Sequence, residues 1–176
     1  YIGHLYPGRG IEVIIALAEK RNDLNFHIVG GNDCDIGYWK RKISIKNIYF
    51  YGHLPNPAAE QLRGKFDILL APYQSTVSIE GKGDTSAYMS PLKIFEYMAS
   101  MKPIICSDIS VLREVLNDKN SILVECDNID AWSSAIDKIM GDPMYAESIG
   151  KNALSDFNQM YSWKKRALNI LNAISN

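Results

Sequence analysis

Short apolar runs without polar alternation recur along the chain, with amphipathic helical patterns between them. A strand with one face in water alternates apolar and polar residues, whereas a strand buried on both faces reads as a continuous apolar run. Such strands separated by helices predict a parallel sheet that is covered on both sides. The expected fold class is therefore α/β, a Rossmann-like doubly wound parallel sheet with extra C-terminal helices. The predicted strands are residues 1–5, 26–31, 48–52, 66–71, 103–106 and 121–124.

The remaining segments are predicted to be helices, apart from one long polar loop. This loop, residues 73–89, is rich in glycine, serine and threonine, and loops of that length in compact domains are usually functional or mobile. His27 falls inside a predicted buried strand, so we interpret it as a core residue. The predicted helices are residues 11–20, 38–45, 58–65, 90–99, 111–116, 129–140, 143–157 and 162–174.

The composition and the motif inventory exclude several classes of protein. Nineteen basic residues against twenty acidic ones give a net charge of −1, which does not favour a nucleic-acid partner. No GxGxxG, P-loop or GxSxG motif occurs, and Cys34, Cys106 and Cys126 form no CxxC pair. We therefore expect free thiols, no protein-bound metal and no cofactor. At 176 residues the chain has the length of one domain.

The segment that begins at Ser90 predicts a helix whose N-terminus can bind an anion. Ser90 is a favourable N-cap, and Pro91 suits the first helical position, where its missing N–H costs nothing. The N–H groups of Leu92 and Lys93 then lack intrahelical partners and lie at the positive end of the helix dipole. A ligand that places a phosphate at this tip and hydroxyl groups within reach of Glu96 would match a nucleoside diphosphate.

The same pattern has a purely structural explanation. An acidic residue near the start of a capped amphipathic helix also complements the helix dipole. In the predicted helix, Leu92, Phe95 and Ala99 form an apolar stripe, and Glu96 lies on nearly the same side. A carboxylate in that place is costly unless a donor meets it. Both interpretations of Glu96 stay open at this point.

Four segments that follow predicted strands are expected to meet at one edge of the sheet. Ligands of doubly wound sheets bind beyond the carboxyl ends of the strands. The four segments are the turn at residues 6–10, the Gly30–Gly31 pair, the loop at residues 53–54 and the tip of the helix after Ser90. Arg9 lies in the first of them, just before a helix, where it could reach an anion or simply be solvated.

Several segments together resemble the C-terminal, donor-binding half of the group 1 retaining glycosyltransferases, which have the GT-B fold. Residues 90–103 are the most specific, because they resemble the family block SPLKxFEYMAxGKPV. Residues 1–10 resemble the opening motif YxGRLxxxKG. The resemblance covers nearly the whole chain and implies one half of a GT-B fold. The other matching segments are residues 26–30, 47–54, 67–72, 113–115 and 161–163.

The resemblance implies that two side chains of the opening motif clamp the donor diphosphate. These positions hold His4, where the family has arginine, and Arg9, where it has lysine. Arg9 keeps the charge and adds a bidentate fork, whereas histidine changes its charge near neutral pH. Together with the helix tip, they would stabilise the charge on the leaving nucleotide without a metal ion. Arg9 and Glu96 are accordingly the implied catalytic residues.

The resemblance also implies how the nucleoside is held. Glu96 matches the second glutamate of the family motif E-x7-E, which binds the ribose hydroxyls, and the base is expected beside His53 and Leu54. The implied donor-binding residues are Gly3, His4, Arg9, His53, Leu54, Ser90, Pro91, Leu92, Lys93 and Glu96.

One position departs from the family motif. Tyr88 stands eight residues before Glu96, where the family has its first glutamate, close to the transferred sugar. The long polar loop contains two carboxylates, Glu80 and Asp84, that could fold back to take its place.

The implied function is that of a nucleotide-sugar-binding domain at residues 1–176, with its acceptor domain elsewhere in the same protein. A UDP-sugar is the favoured donor substrate, and the isolated domain is expected to bind nucleotide without transferring sugar. Two alternatives remain open, a binding module of the same fold without transfer activity and a GT-B nucleotide-sugar epimerase. Such enzymes build surface polysaccharides, so we expect a cytoplasmic location with peripheral association at the inner membrane face through the full-length protein.

Overall fold

The structure, a computed structural model, describes residues 1–6, 9–74, 78–79, 82–84 and 92–174. Each apolar run predicted as a strand after residue 5 overlaps a strand of the structure. The ends differ by a few residues, as is usual where a strand runs into a turn. The strands are β1 (Phe26–Val29), β2 (Ile48–Gly52), β3 (Leu69–Ala71), β4 (Ser78–Ile79), β5 (Lys82–Asp84), β6 (Ile104–Ser107) and β7 (Ile122–Val124).

The strands of the main sheet are parallel and form two blocks. β1 pairs with β2, and β3, β6 and β7 pair in that order. Ile2 forms an isolated parallel bridge with Val29, and the Gly3 N–H donates to the Val29 carbonyl at 2.9 Å. The predicted first strand, residues 1–5, is therefore one bridge on β1 and not a full strand. The expected Rossmann-like parallel α/β architecture is confirmed.

Helices connect the strands, and their bounds follow local capping signals. The second helix begins at Asp33 and not at residue 38, because the Asn32 side chain accepts a hydrogen bond from the Asp35 N–H in a capping box. A π-helical turn, Phe157–Tyr161, precedes the last helix. The helices are α1 (Ile11–Lys20), α2 (Asp33–Lys42), α3 (Asn56–Arg63), α4 (Leu92–Ala99), α5 (Ser110–Arg113), α6 (Ile129–Gly141), α7 (Pro143–Asp156) and α8 (Trp163–Ile174).

Successive residues of the central strands point to opposite faces, and both faces are buried. Leu70 and Ile105 belong to a core cluster that includes residues of α1 and Trp132 of α6. Leu69 and Ile104 belong to a second cluster, which includes residues of α4. Because helices cover the sheet on both sides, no position along these strands has to be polar.

The buried face of α4 is not the predicted one. Leu92 is 62% exposed and Ala99 is exposed, so the predicted stripe of Leu92, Phe95 and Ala99 does not face the core. Phe95 is half-buried and packs at the margin of the second cluster. The sheet receives a different side of the helix, whose fully buried residues are Ile94, Tyr97 and Met98.

Tyr97 can occupy this face because its hydroxyl finds partners in the sheet. The hydroxyl accepts a hydrogen bond from the Ile2 N–H at 2.8 Å and donates to the Leu70 carbonyl at 3.4 Å. Tyr97→Phe should keep the packing but leave the Ile2 N–H without its acceptor. We expect the free energy of unfolding to fall by about 2 kcal/mol, measured by urea denaturation. An unchanged unfolding midpoint would show that this hydroxyl does not hold the opening segment, residues 1–5, on the sheet.

His27 is only partly buried, so its assignment to the core is wrong. Its block of the sheet ends at β2, which leaves Tyr49 and Tyr51 exposed. His27 Nδ1 lies 2.8 Å from the Tyr51 hydroxyl, and the imidazole stacks on Tyr49 and Phe66 with both centroid distances at 5.2 Å. Burial among these rings lowers the pKa of His27.

The polar loop predicted at residues 73–89 contains a short hairpin. β4 and β5 pair antiparallel within it, with Ser78 opposite Asp84 and Ile79 opposite Lys82. The predictions for Glu80, Tyr88, Ser90 and Pro91 concern positions outside the described residues.

Candidate functional site

Glycines bring the opening segment, residues 1–5, together with the ends of β1 and β2 at the carboxyl edge of the sheet. Gly30 has φ +116°, and a Cβ there would lie 2.1 Å from the Gly3 carbonyl oxygen. The Gly30 N–H donates in turn to the Gly52 carbonyl at 2.7 Å. His53 and Leu54 follow Gly52 directly, which brings their backbone to the same edge. Gly30 thus joins the loop predicted to bind the base, residues 53–54, to the opening motif predicted to clamp the diphosphate, residues 1–10.

The turn that carries Arg9 is pressed against the segment after β3. Gly10 has φ +86°, and a Cβ there would lie 1.6 Å from the Pro72 carbonyl oxygen. This close approach needs glycine, since any side chain would collide with backbone. The Arg9 guanidinium carbon consequently lies 6.0 Å from the centroid of the Tyr73 ring.

Lys93 reaches the same aromatic ring from the first turn of α4. Its Nζ lies 4.3 Å from the Tyr73 centroid and 4.2 Å from the Tyr1 centroid. Tyr73 is buried, and burial raises the pKa of its hydroxyl, so the ring is neutral. The Arg9 guanidinium, the Lys93 amine and the positive end of α4 therefore converge at the carboxyl edge, which favours an anion there.

Glu96 meets a donor that the sequence did not reveal. Arg63 Nη1 lies 2.8 Å from Glu96 Oε2, and Arg63 is only 8% exposed whereas half of the Glu96 side chain is exposed. The bond fixes one carboxylate oxygen and leaves the group accessible to a ligand. One signal could have revealed Arg63, because it follows Ala59 by four residues on the buried side of α3. A cation on such a face requires an anionic partner.

His4 stands apart from the cations around Tyr73. It is exposed and stacks on Tyr6, with ring centroids 5.0 Å apart and an interplanar angle of 4°. The structure thus brings Gly3, Arg9 and Lys93 together, and it directs the His4 ring to the surface. Glu96 lies one turn after Lys93 on α4. The helix is described from Leu92 onward, so the predicted cap at Ser90 and Pro91 lies outside the described residues.

A cavity formed by the described residues lies at the opposite, amino edge of the sheet. It has a volume of about 700 Å³ and lies between the start of β1 and the segment before β3, with Phe26, Phe66 and Ile139 among its lining. This is the gap between the two strand blocks, where no full strand bridges β1 and β3. The cavity therefore results from the packing of the strands. Neither Arg9 nor Lys93 lines it.

Two features are absent from the described residues. No group of three or more histidine, cysteine, aspartate or glutamate side chains is arranged there to hold a metal ion. No helix in the described part of the chain is long and apolar enough to cross a membrane.

Comparison with solved structures identifies the same fold in other proteins. A crystal structure of Anabaena Alr3699/HepE in complex with UDP superimposes with a TM-score of 0.77 at 18% identity, covering 99% of this chain and 48% of that one. Sucrose-phosphate synthase from Thermosynechococcus elongatus gives a TM-score of 0.78 at 19% identity, covering 99% and 44%. These similarities confirm the expected half of a GT-B fold.

Sequence comparison gives the family. The chain is 25% identical over 184 aligned residues to an uncharacterized glycosyltransferase of Methanocaldococcus jannaschii, covering 98% of this chain and 43% of the relative. The chain thus spans less than half the length of these relatives. The family profile described as glycosyl transferases group 1 matches residues 1–142. The chain belongs to the group 1 family of glycosyltransferases.

Proposed function

We propose that residues 1–176 bind a nucleoside diphosphate sugar at the carboxyl edge, as the donor half of a glycosyltransferase. The observation that carries this proposal is the convergence of Arg9 and Lys93 on the Tyr73 ring at the first turn of α4. The diphosphate of a nucleotide sugar carries two negative charges, and this place offers the Arg9 cation, the Lys93 amine, which is positive when protonated, and a helix N-terminus. Backbone N–H groups at Leu92 and Lys93 complete the diphosphate site.

Glu96 binds the ribose of this donor. A carboxylate accepts hydrogen bonds from two neighbouring hydroxyls, and Arg63 holds it in one orientation. The base then lies beside His53 and Leu54, beyond β2. When the bond to the sugar breaks, negative charge grows on the departing diphosphate. Arg9 and the start of α4 stabilise that charge by fixed dipoles and a permanent cation, with no protein-held metal.

UDP is the favoured nucleotide, and the relative from Anabaena whose structure contains UDP supports this choice. The acceptor domain belongs to another part of the full-length protein, since the chain covers only 43% of its curated relative. Residues 1–176 therefore bind the donor but do not transfer sugar alone. The full-length protein acts in surface polysaccharide synthesis, in the cytoplasm at the inner face of the membrane.

Calorimetric titration of the chain with UDP, GDP and ADP tests the binding step. UDP should bind most tightly, and Glu96→Ala should weaken UDP binding about tenfold, because a charged acceptor of ribose hydroxyls is lost. Glu147→Ala is the matched control, since Glu147 pairs with Lys151 on the surface of α7 and should leave affinity unchanged. Failure of all three nucleotides to bind, or equal effects of the two variants, would contradict the proposal.

A second candidate is a binding module of the same fold without transfer activity. It is favoured by His4, which stands at a clamp position and directs its ring to the surface against Tyr6. Turnover distinguishes the two candidates. Full-length protein that transfers sugar from a UDP-sugar, and loses transfer in Glu96→Ala, is the enzyme. Binding without turnover identifies the module.

A further inference from the structure

Lys93 is held in an unusual place for a lysine. Its ammonium lies between two aromatic rings, 4.2 Å from the Tyr1 centroid and 4.3 Å from the Tyr73 centroid. A Cβ added to Gly3 would lie 3.3 Å from Nζ, so the ammonium sits against the Gly3 backbone. The side chain is half-buried and lies between α4, the opening segment and the end of β3.

The described residues around Lys93 offer its side chain no ion-pair partner. Arg9, from the turn before α1, acts on it as a second cation across the Tyr73 ring. Among the described residues, no carboxylate forms an ion pair with Lys93. The nearby carboxylate of Glu12, on α1, raises the pKa of the Tyr1 hydroxyl. Burial, together with the charge of Arg9, lowers the pKa of Lys93 to about 7.

The other titratable groups that face this place are neutral near pH 7. Burial raises the pKa of the Cys106 thiol on β6 to about 12. It also raises the pKa of the hydroxyls of Tyr1, Tyr73 and Tyr97. Among the described residues no carboxylate is paired with Lys93, so a bound diphosphate would be the first anion to pair with its side chain.

We propose that Lys93 is a proton-coupled binding residue, whose side chain takes up a proton from solvent when the donor diphosphate binds beside it and Arg9. This inference rests on the proposed function, and it adds that donor affinity is set by pH through a single lysine. The diphosphate supplies the counter-charge that the ring faces and the Arg9 guanidinium do not.

The direction of the effect follows from the charges. The negative diphosphate favours the protonated lysine, so the pKa of Lys93 is higher in the complex than in the free protein. The affinity gained from its charge is fully present below the free pKa, about 7, and is lost as pH rises through the higher value of the complex. Donor affinity should therefore be greatest on the acidic side of neutrality.

The test is calorimetric titration of the chain with UDP-glucose across the neutral range. UDP-glucose is the probe because its diphosphate is esterified at both ends and keeps a constant charge. The dissociation constant should rise about tenfold from pH 6 to pH 8.5. Titrations in two buffers of different ionisation enthalpy should show uptake of about half a proton or more on binding near pH 7.5. Absence of proton uptake would overturn the proposal.

Three variants assign the effect to one side chain. Lys93→Met has a similar shape without charge, so it should bind at all pH values as weakly as the parent chain at high pH. Lys93→Arg remains charged and should bind with little pH dependence. His4→Gln removes an exposed imidazole near the carboxyl edge and should keep the pH slope. A slope lost in His4→Gln and retained in Lys93→Met would overturn the assignment.

The outcomes separate this inference from the proposed function. UDP-glucose that binds with no pH dependence contradicts the role of Lys93 and leaves the donor site standing. UDP-glucose and nucleoside diphosphates that fail to bind at any pH contradict the donor site itself. Circular dichroism of each variant confirms that the fold is retained before affinities are compared.

Discussion

Arg9→Ala is expected to weaken UDP binding about 100-fold, because a guanidinium that forms two charge-assisted hydrogen bonds to a diphosphate contributes about 3 kcal/mol. The position of Arg9 is fixed by the Gly10 turn and by the Tyr73 ring, 6.0 Å from its guanidinium carbon. The arginine thus loses little conformational freedom when the nucleotide binds. Calorimetry of the chain with UDP at pH 7 measures the effect.

Two further variants make this result interpretable. Arg9→Lys keeps the charge and loses the planar fork, so it should lie between alanine and the parent chain. Arg41→Ala removes the same charge from the exposed end of α2 and should leave the affinity unchanged. If Arg41→Ala weakened binding as much as Arg9→Ala, the effect would be one of net charge. If Arg9→Ala bound UDP normally, the diphosphate would lie elsewhere.

The sheet was predictable because its strands are buried on both faces. Leu69 and Leu70 enter different core clusters, and each is surrounded by apolar side chains. That environment removes the polar alternation that an exposed strand would show. His27 marks where this reasoning fails, since β2 ends its block and leaves an aromatic face in contact with solvent. A strand's place in the sheet is not encoded in its own residues.

The orientation of α4 could not be derived from its own residues. Counting apolar side chains places Leu92, Phe95 and Ala99 inward, whereas the structure buries Tyr97 together with its hydroxyl. The partner of that hydroxyl is the backbone of Ile2, some ninety residues earlier, so its burial depends on a tertiary contact. The pairing of Arg63 with Glu96 likewise depends on a tertiary contact, because the two residues lie on different helices, although the spacing of Arg63 from Ala59 in α3 indicates its burial.

The candidate site also has a part that local sequence predicts and a part that depends on tertiary contacts. Position after the predicted strands sufficed to place the turn that carries Arg9, the Gly30–Gly31 pair and the start of α4 at one edge, whereas Gly3 was implied by the resemblance alone. The sequence assigned Lys93 a role only through its backbone N–H, whereas the structure also gives its side chain a place between two tyrosine rings. Those rings come from the opening segment and from the end of β3, and no local pattern links them to α4.

Gly10→Ala should have the largest effect on stability. The added Cβ would lie 1.6 Å from the Pro72 carbonyl oxygen, and the residue would have to keep φ +86°. Backbone strain and overpacking together should lower the free energy of unfolding by about 4 kcal/mol. Urea denaturation, followed by circular dichroism, measures this loss.

Gly141→Ala is the matched control for the same chemical change. A Cβ at Gly141 meets nothing within 4 Å, and the residue lies at the end of α6, so alanine should be neutral or stabilise the chain by up to about 1 kcal/mol. Because Gly10 also positions Arg9, any folded Gly10→Ala protein should bind UDP more weakly than the parent chain. Equal stability of the two alanine variants would show that the turn before α1 can move away from β3, and Arg9 would then have no fixed place at the carboxyl edge.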